Sequence, residues 1–173
     1  MNSWVDIAAL HQSIRAGIEV QFPGVFVDFY PRPGEKIKVP AILLELEDIT
    51  VSNTDDMGTE QCPVTLNFNA YCVLSYKSGN KIALRTMAAA LLYFIRGERW
   101  GMPVSAADVS GVSPDSLSGD NHEYEVMRVE FSHEAILGND AWAGDGQLPT
   151  TVYLGASPDV GPDHLTDYEQ IIP

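Results

Sequence analysis

Residues 62–101 read CPVTLNFNAYCVLSYKSGNKIALRTMAAALLYFIRGERWG, and this stretch decides the fold. Over 64–76 the even positions are Val64, Leu66, Phe68, Ala70, Cys72, Leu74 and Tyr76. The odd positions are Thr65, Asn67, Asn69, Tyr71, Val73 and Ser75. Alternation with period two marks a strand with one buried and one wetter face. Thirteen residues is long for a strand, which predicts a bend, a bulge or a projecting end.

Ser78-Gly79-Asn80 then turns the chain, with Asn80 a plausible N-cap. Residues 81–96 are rich in Ala, Leu and Met, which favours a helix. Gly97 suits the position just past its end, since glycine takes positive φ without steric cost. Arg96 and Arg99 lie where the helix dipole favours cations. Residues 87–95 are apolar without a break. A helix on a monomer's surface carries a polar stripe, so this one needs cover on more than one face. The sheet supplies one side, and a second helix or a neighbouring subunit the other. The run is too short to span a bilayer, which takes about 20 residues.

With 173 residues the chain fits one domain with an appendage. Composition divides it into a core at 1–138 and an acidic, Pro/Gly-rich C-terminal arm at 139–173. Cys62 and Cys72 share a strand face yet stand about 33 Å apart along it, so they read as reduced small hydrophobes. No basic n-region opens the sequence, which points to synthesis in a cytoplasm. A net charge of −14 argues against binding nucleic acid by phosphate neutralisation. The charges are also segregated. Glu45, Glu47, Asp48, Asp55, Asp56 and Glu60 form an acidic run, and no Lys or Arg follows Arg128. Five of the ten bases, Lys77, Lys81, Arg85, Arg96 and Arg99, surround the central helix. Such separation favours head-to-tail pairing between copies, although charge runs are commonly just solvated faces.

Around that centre the order of elements is simple. Ser3 is a candidate N-cap for a first helix whose apolar residues, Val5, Ile7, Ala8, Leu10, Ile14 and Ile18, follow helical spacing until Pro23-Gly24. Residues 25–30 read as a short strand and 39–48 as a second, with Ile42, Leu44 and Leu46 on one face. Residues 49–61 read as a hairpin tip joining the long strand. After the central helix, 104–112 is a weak strand, 113–121 a loop, and 123–132 a stronger strand with a mixed pattern. The fold class expected is α+β. It has a mostly antiparallel twisted sheet of about four to five strands with a long projecting β-hairpin, packed against two helices. An irregular C-terminal arm follows.

Catalytic motifs are absent from the sequence: no G-x-S-x-G, Walker loop, dinucleotide fingerprint or H-E-x-x-H. His11, His122, His133 and His164 are scattered, and His122-Glu123 and His133-Glu134 lack a further ligand at metal spacing, so they read as ordinary surface residues. The expectation is a non-enzyme with no cofactor and no metal.

The long strand at 63–76, the helix at 81–97 and the closing strand with its exit at 126–142 (ending EFSHEAILGNDAW) resemble the tail terminators of tailed bacteriophages, of the Mu-like contractile type. The resemblance lies in patterns and element order across most of 3–142. It implies a structural virion protein forming a homohexameric ring at the head-proximal end of the tail tube. Such a ring ends tube and sheath polymerisation and offers an attachment surface to the neck. The implied partners are further copies of the chain, the tail tube protein, a neck or head-completion protein and the tail sheath. DNA would pass through the channel without specific binding, and acidic residues facing it would repel phosphate.

Residues with surface roles follow from the present sequence. Lys81, Arg85, Met87, Leu91, Arg96 and Arg99 are candidates for the subunit interface. Asp48, Asp55, Asp56 and Glu60 are candidates for touching the tube, and Trp142, Tyr153 and Tyr168 for anchoring the arm. The competing readings are another head–tail joining or tail tube protein and, from a different class, a monomeric small-ligand module or enzyme.

Overall fold

The computed structural model describes residues 4–30, 36–52, 58–76, 81–116, 124–141 and 151–172. The chain divides into two compact units, Met1–Ala141 and Trp142–Pro173.

The first unit is α+β. Its helices are α1 (Ile7–Gln21) and α2 (Lys81–Ile95). Its strands are β1 (Phe26–Phe29), β2 (Ala41–Val51), β3 (Cys62–Ser75), β4 (Asp108–Asp115) and β5 (Tyr124–Leu137). They form one sheet in the order β1-β2-β3-β5-β4. Only the edge pair β1–β2 is parallel; the other pairs are antiparallel.

Strand β3 is the spine. Its even residues Val64, Leu66, Phe68, Ala70 and Cys72 are all buried. Register places Val129, Phe131, His133 and Ala135 of β5 on that same side, with Ile42, Leu44 and Leu46 of β2. Phe68 and Phe131 face each other in register and stack with ring centroids 5.2 Å apart. Against this layer pack Leu10, Ile14 and Ile18 of α1 and Leu84, Ala88, Leu91 and Ile95 of α2, each set at helical spacing.

Two elements run beyond their expected limits. The strand at 123–132 continues to Leu137, pairing with β3 along its whole length, from Cys62↔Leu137 to Ser75↔Tyr124. The residues expected as loop from 113 begin as strand, because β4 extends to Asp115. Pro114 is tolerated there since β4 is a sheet edge. The bulge falls in β2 rather than β3: Leu46 pairs with Phe68 and Asp48 with Asn67, leaving Glu47 as the extra residue.

The N-cap of α1 is Asp6, not Ser3, which lies outside the described residues. The Asp6 carboxylate accepts from the Ala8 and Ala9 N–H groups at 2.8 and 3.1 Å. Asn80 also lies outside them. Gly97 has φ +85°, as expected past the end of α2.

The second unit pairs β6 (Val152–Leu154) with β7 (Glu169–Ile172), and a 3-10 helix at Pro162–Asp167 lies between them. The Tyr168 ring covers Gly155, where a Cβ would stand 2.8 Å from the ring. The Tyr168 hydroxyl accepts from the Gly161 N–H at 2.9 Å.

Candidate functional site

The first unit has a face formed by α2 and, on the other side of the two-layer fold, an open sheet face. Their chemistry differs sharply.

The inner side of α2 belongs to the core. Leu91 is 0% exposed and offers nothing to a neighbour, and Met87 is half-buried against the same core. These two candidates for the subunit interface therefore close the chain on itself. The outer side carries Ile82, 78% exposed, Tyr93, 81% exposed, and the exposed Ala89 and Ala90. Exposed cations border this stripe: Lys81, Arg85, Arg96 and Arg99. Lys81 lies 3.8 Å from Glu125. Arg85 donates only to the Lys81 backbone carbonyl, at 3.1 Å, and among the described residues neither it nor Arg96 nor Arg99 has a carboxylate partner. Beside the end of the stripe lies an open groove of about 580 Å³ that includes Phe22, Ala90, Tyr93 and Phe94.

The open sheet face is made by the odd residues of β3 and their partners. Register and hydrogen bonding place Glu45, Glu47 and Asp48 of β2, Glu130 and Glu134 of β5, and Asp108 and Asp115 of β4 on it. The strands answer these seven carboxylates with one cation, Arg128, paired at 3.2 Å with Asp115 and 2.7 Å with Glu130. Polar side chains tie the rest together. Asn67 donates to Asp48 at 2.7 Å, Asn69 to Glu47 at 2.9 Å, and the Tyr71 hydroxyl to Glu45 at 3.0 Å. Asn69 is only 2% exposed. Burial and the hydrogen bond to Glu45 push the Tyr71 phenol up to about 12. At the other end, Ile37 and Val39 pack with Ala41, Leu43, Val73 and Val126, and the Ile37 N–H donates to the Tyr124 hydroxyl at 3.1 Å. Lys36 and Lys38 flank that apolar strip.

His133 is a buried strut rather than the surface residue expected. Its Nε2 accepts from Trp100 Nε1–H at 2.9 Å, so Nδ1 carries the proton and donates to the Ser105 carbonyl at 2.9 Å. Burial pushes its pKa below the ordinary value, partly opposed by the Ser105 bond. Trp100 also fixes Gly17 in mid-helix, since a Cβ there would lie 3.0 Å from its ring. Both imidazole nitrogens are engaged, and no group of three metal-ligating side chains converges among the described residues.

The remaining candidates separate. Asp48 is exposed on β2, and Glu60 is exposed, with φ +58°, just before β3. Asp55, Asp56 and Trp142 lie outside the described residues. Tyr153 is exposed, whereas Tyr168 is half-buried within its own unit. Cys62 is exposed and Cys72 buried, with burial pushing the Cys72 thiol up to about 12. Sequence reasoning missed the sheet-face network, although its donors Asn67, Asn69 and Tyr71 occupy odd positions of β3.

No family model matches the chain, and no curated protein matches it. One solved chain without a functional name is similar at 13% identity and a TM-score of 0.41, over 77% of this chain and 94% of its own length. A likeness of that degree carries no argument.

Proposed function

We propose that this chain is the subunit of a closed ring, a homohexamer, that caps the head-proximal end of a contractile bacteriophage tail tube. It ends tube and sheath growth, presents a surface to the neck, and lets DNA pass through its channel without specific binding. It works in the virion and is made in the host cytoplasm. Its action lies in surfaces rather than in a catalytic centre. In this reading the β2–β3 hairpin projects, and its tip, with Asp48 and Glu60, meets the tube protein. The acidic C-terminal arm orders against a partner.

One observation carries the reading. The inner side of α2 already completes the core, yet its outer side keeps Ile82, Ala89, Ala90 and Tyr93 exposed beside guanidinium groups that have no carboxylate partner among the described residues. A helix of that composition favours a second protein surface. The element order around it is that of the terminator resemblance.

The test is tube growth. Tail tube protein of the same phage is allowed to polymerise with and without the chain. Short tubes bearing the chain at one end support capping. Tubes of unchanged length without bound chain contradict it, and chain incorporated along the tube would make it a tube subunit instead.

A further inference from the structure

We infer that the outer face of α2 in one copy docks on the open sheet face of the next copy, so that a basic, apolar helix face meets an acidic sheet face. This inference rests on the ring reading above and adds which two surfaces meet.

Charge complementarity singles out the occupant. Arg85, Arg96 and Arg99 have no carboxylate partners within the described residues of their own chain. The open sheet face has the opposite imbalance, its carboxylates outnumbering Arg128, their one cation on the strands. An antiparallel sheet readily leaves one face to water, but opposed excess charges on two faces of one chain are a recipe for self-association. Dimensions agree. Arg85 and Arg96 are separated by about 16 Å along α2. Asp115 and Glu134 bracket about 26 Å of the sheet face at the usual rise per residue. Ile82 and Tyr93 point the same way as the guanidiniums and supply the apolar contact, since both are largely exposed.

Topology then sets the type of assembly. α2 and the open face lie on opposite sides of the sheet, so the contact is heterologous and an open chain of copies keeps one free face of each kind, at its two ends, until a ring closes. Because charges dominate it, salt should weaken the contact.

Charge exchange between two full-length variants tests this. The helix-face variant is Arg85→Glu with Arg96→Glu. The sheet-face variant is Asp108→Lys with Glu134→Lys, two exposed positions of that face. Each is checked for wild-type circular dichroism and melting, and mass is read by light scattering. Wild type is expected as an assembly, and each variant alone at the protomer mass of 18.9 kDa. An equal mixture of the two is expected to regain the wild-type mass, because reversed helix meets reversed sheet. If wild type assembles and the variants assemble equally well, the face assignment is wrong and the ring reading stands. Variants that fall apart but fail to recover on mixing also overturn the assignment. If wild type stays a protomer at every concentration, both the assignment and the ring reading fall.

Discussion

The two faces of β3 differ in every respect that matters for a surface, although they alternate residue by residue on one strand. The even face carries Leu66, Phe68, Ala70 and Cys72 under two helices, where the hydrophobic effect decides each identity. The odd face carries Asn67, Asn69 and Tyr71, each donating a hydrogen bond to a carboxylate of β2. The first face explains why the chain folds. The second has no part in the helix-packed core, yet it holds an ordered array of charge. A residue's role follows from the side of the sheet it occupies, and α2 repeats the lesson with Leu91 inside and Tyr93 outside.

The sharpest way to break this comparison is truncation on either side of α2. Leu91→Ala should lower unfolding free energy in urea by about 2–5 kcal/mol, because it removes buried methyl groups and leaves a cavity. Equal losses from Leu91→Ala and Tyr93→Ala would mean that the outer side of α2 is packed within its own chain.

Next in size is acid sensitivity. His133 is held neutral by the Trp100 donation, with its pKa pushed below 6.5. Between that lowered value and 6.5 the unfolded chain binds the proton and the folded chain does not, so stability falls as pH drops through this window. The slope is at most about 1.4 kcal/mol per pH unit for one proton. Urea titrations from pH 7.5 to 5, read by tryptophan fluorescence, should show it in wild type and lose it in His133→Gln. An identical slope in both proteins would remove His133 as the cause.

On the open face the effects are smaller. Asn69→Ala deletes a buried amide donor to the Glu47 carboxylate and should cost about 1 kcal/mol in the same urea assay. A loss as large as that of Leu91→Ala would mean that the odd face is core after all. Smallest is Tyr93→Ala, which should leave protomer stability within about 0.5 kcal/mol of wild type while weakening self-association.

Much of the fold is legible in the sequence because its signals are local. The alternation over 64–76 and the helix ending at Gly97 read directly, whereas the tail expected as an irregular arm forms a compact unit with a paired β6 and β7. What was misread depended on partners distant in sequence. The pattern over 123–132 reads as mixed because Val126 and Val129 are both apolar. Val126 joins the small cluster with Ala41 and Leu43, while Val129 joins the main core. His133 looked like surface until Trp100 and Ser105 reached it from more than 25 residues away. The apolar run at 87–95 does not reveal which of its members face the core and which face water. Helical phase turns Leu91 inward and Tyr93 outward, and a run apolar throughout hides that phase. The sheet-face network was invisible for a related reason. Glu47, Asn69 and Glu130 come from three strands, and only register brings them together.

The most direct measurement is the mass of the wild-type chain by light scattering behind a sizing column, across concentration and ionic strength, with images of any large species. A ring subunit with opposed charged faces predicts a closed particle of one fixed small number of 18.9 kDa protomers, more populated at low salt than at high. A protomer at every concentration, or filaments of indefinite length, would contradict it.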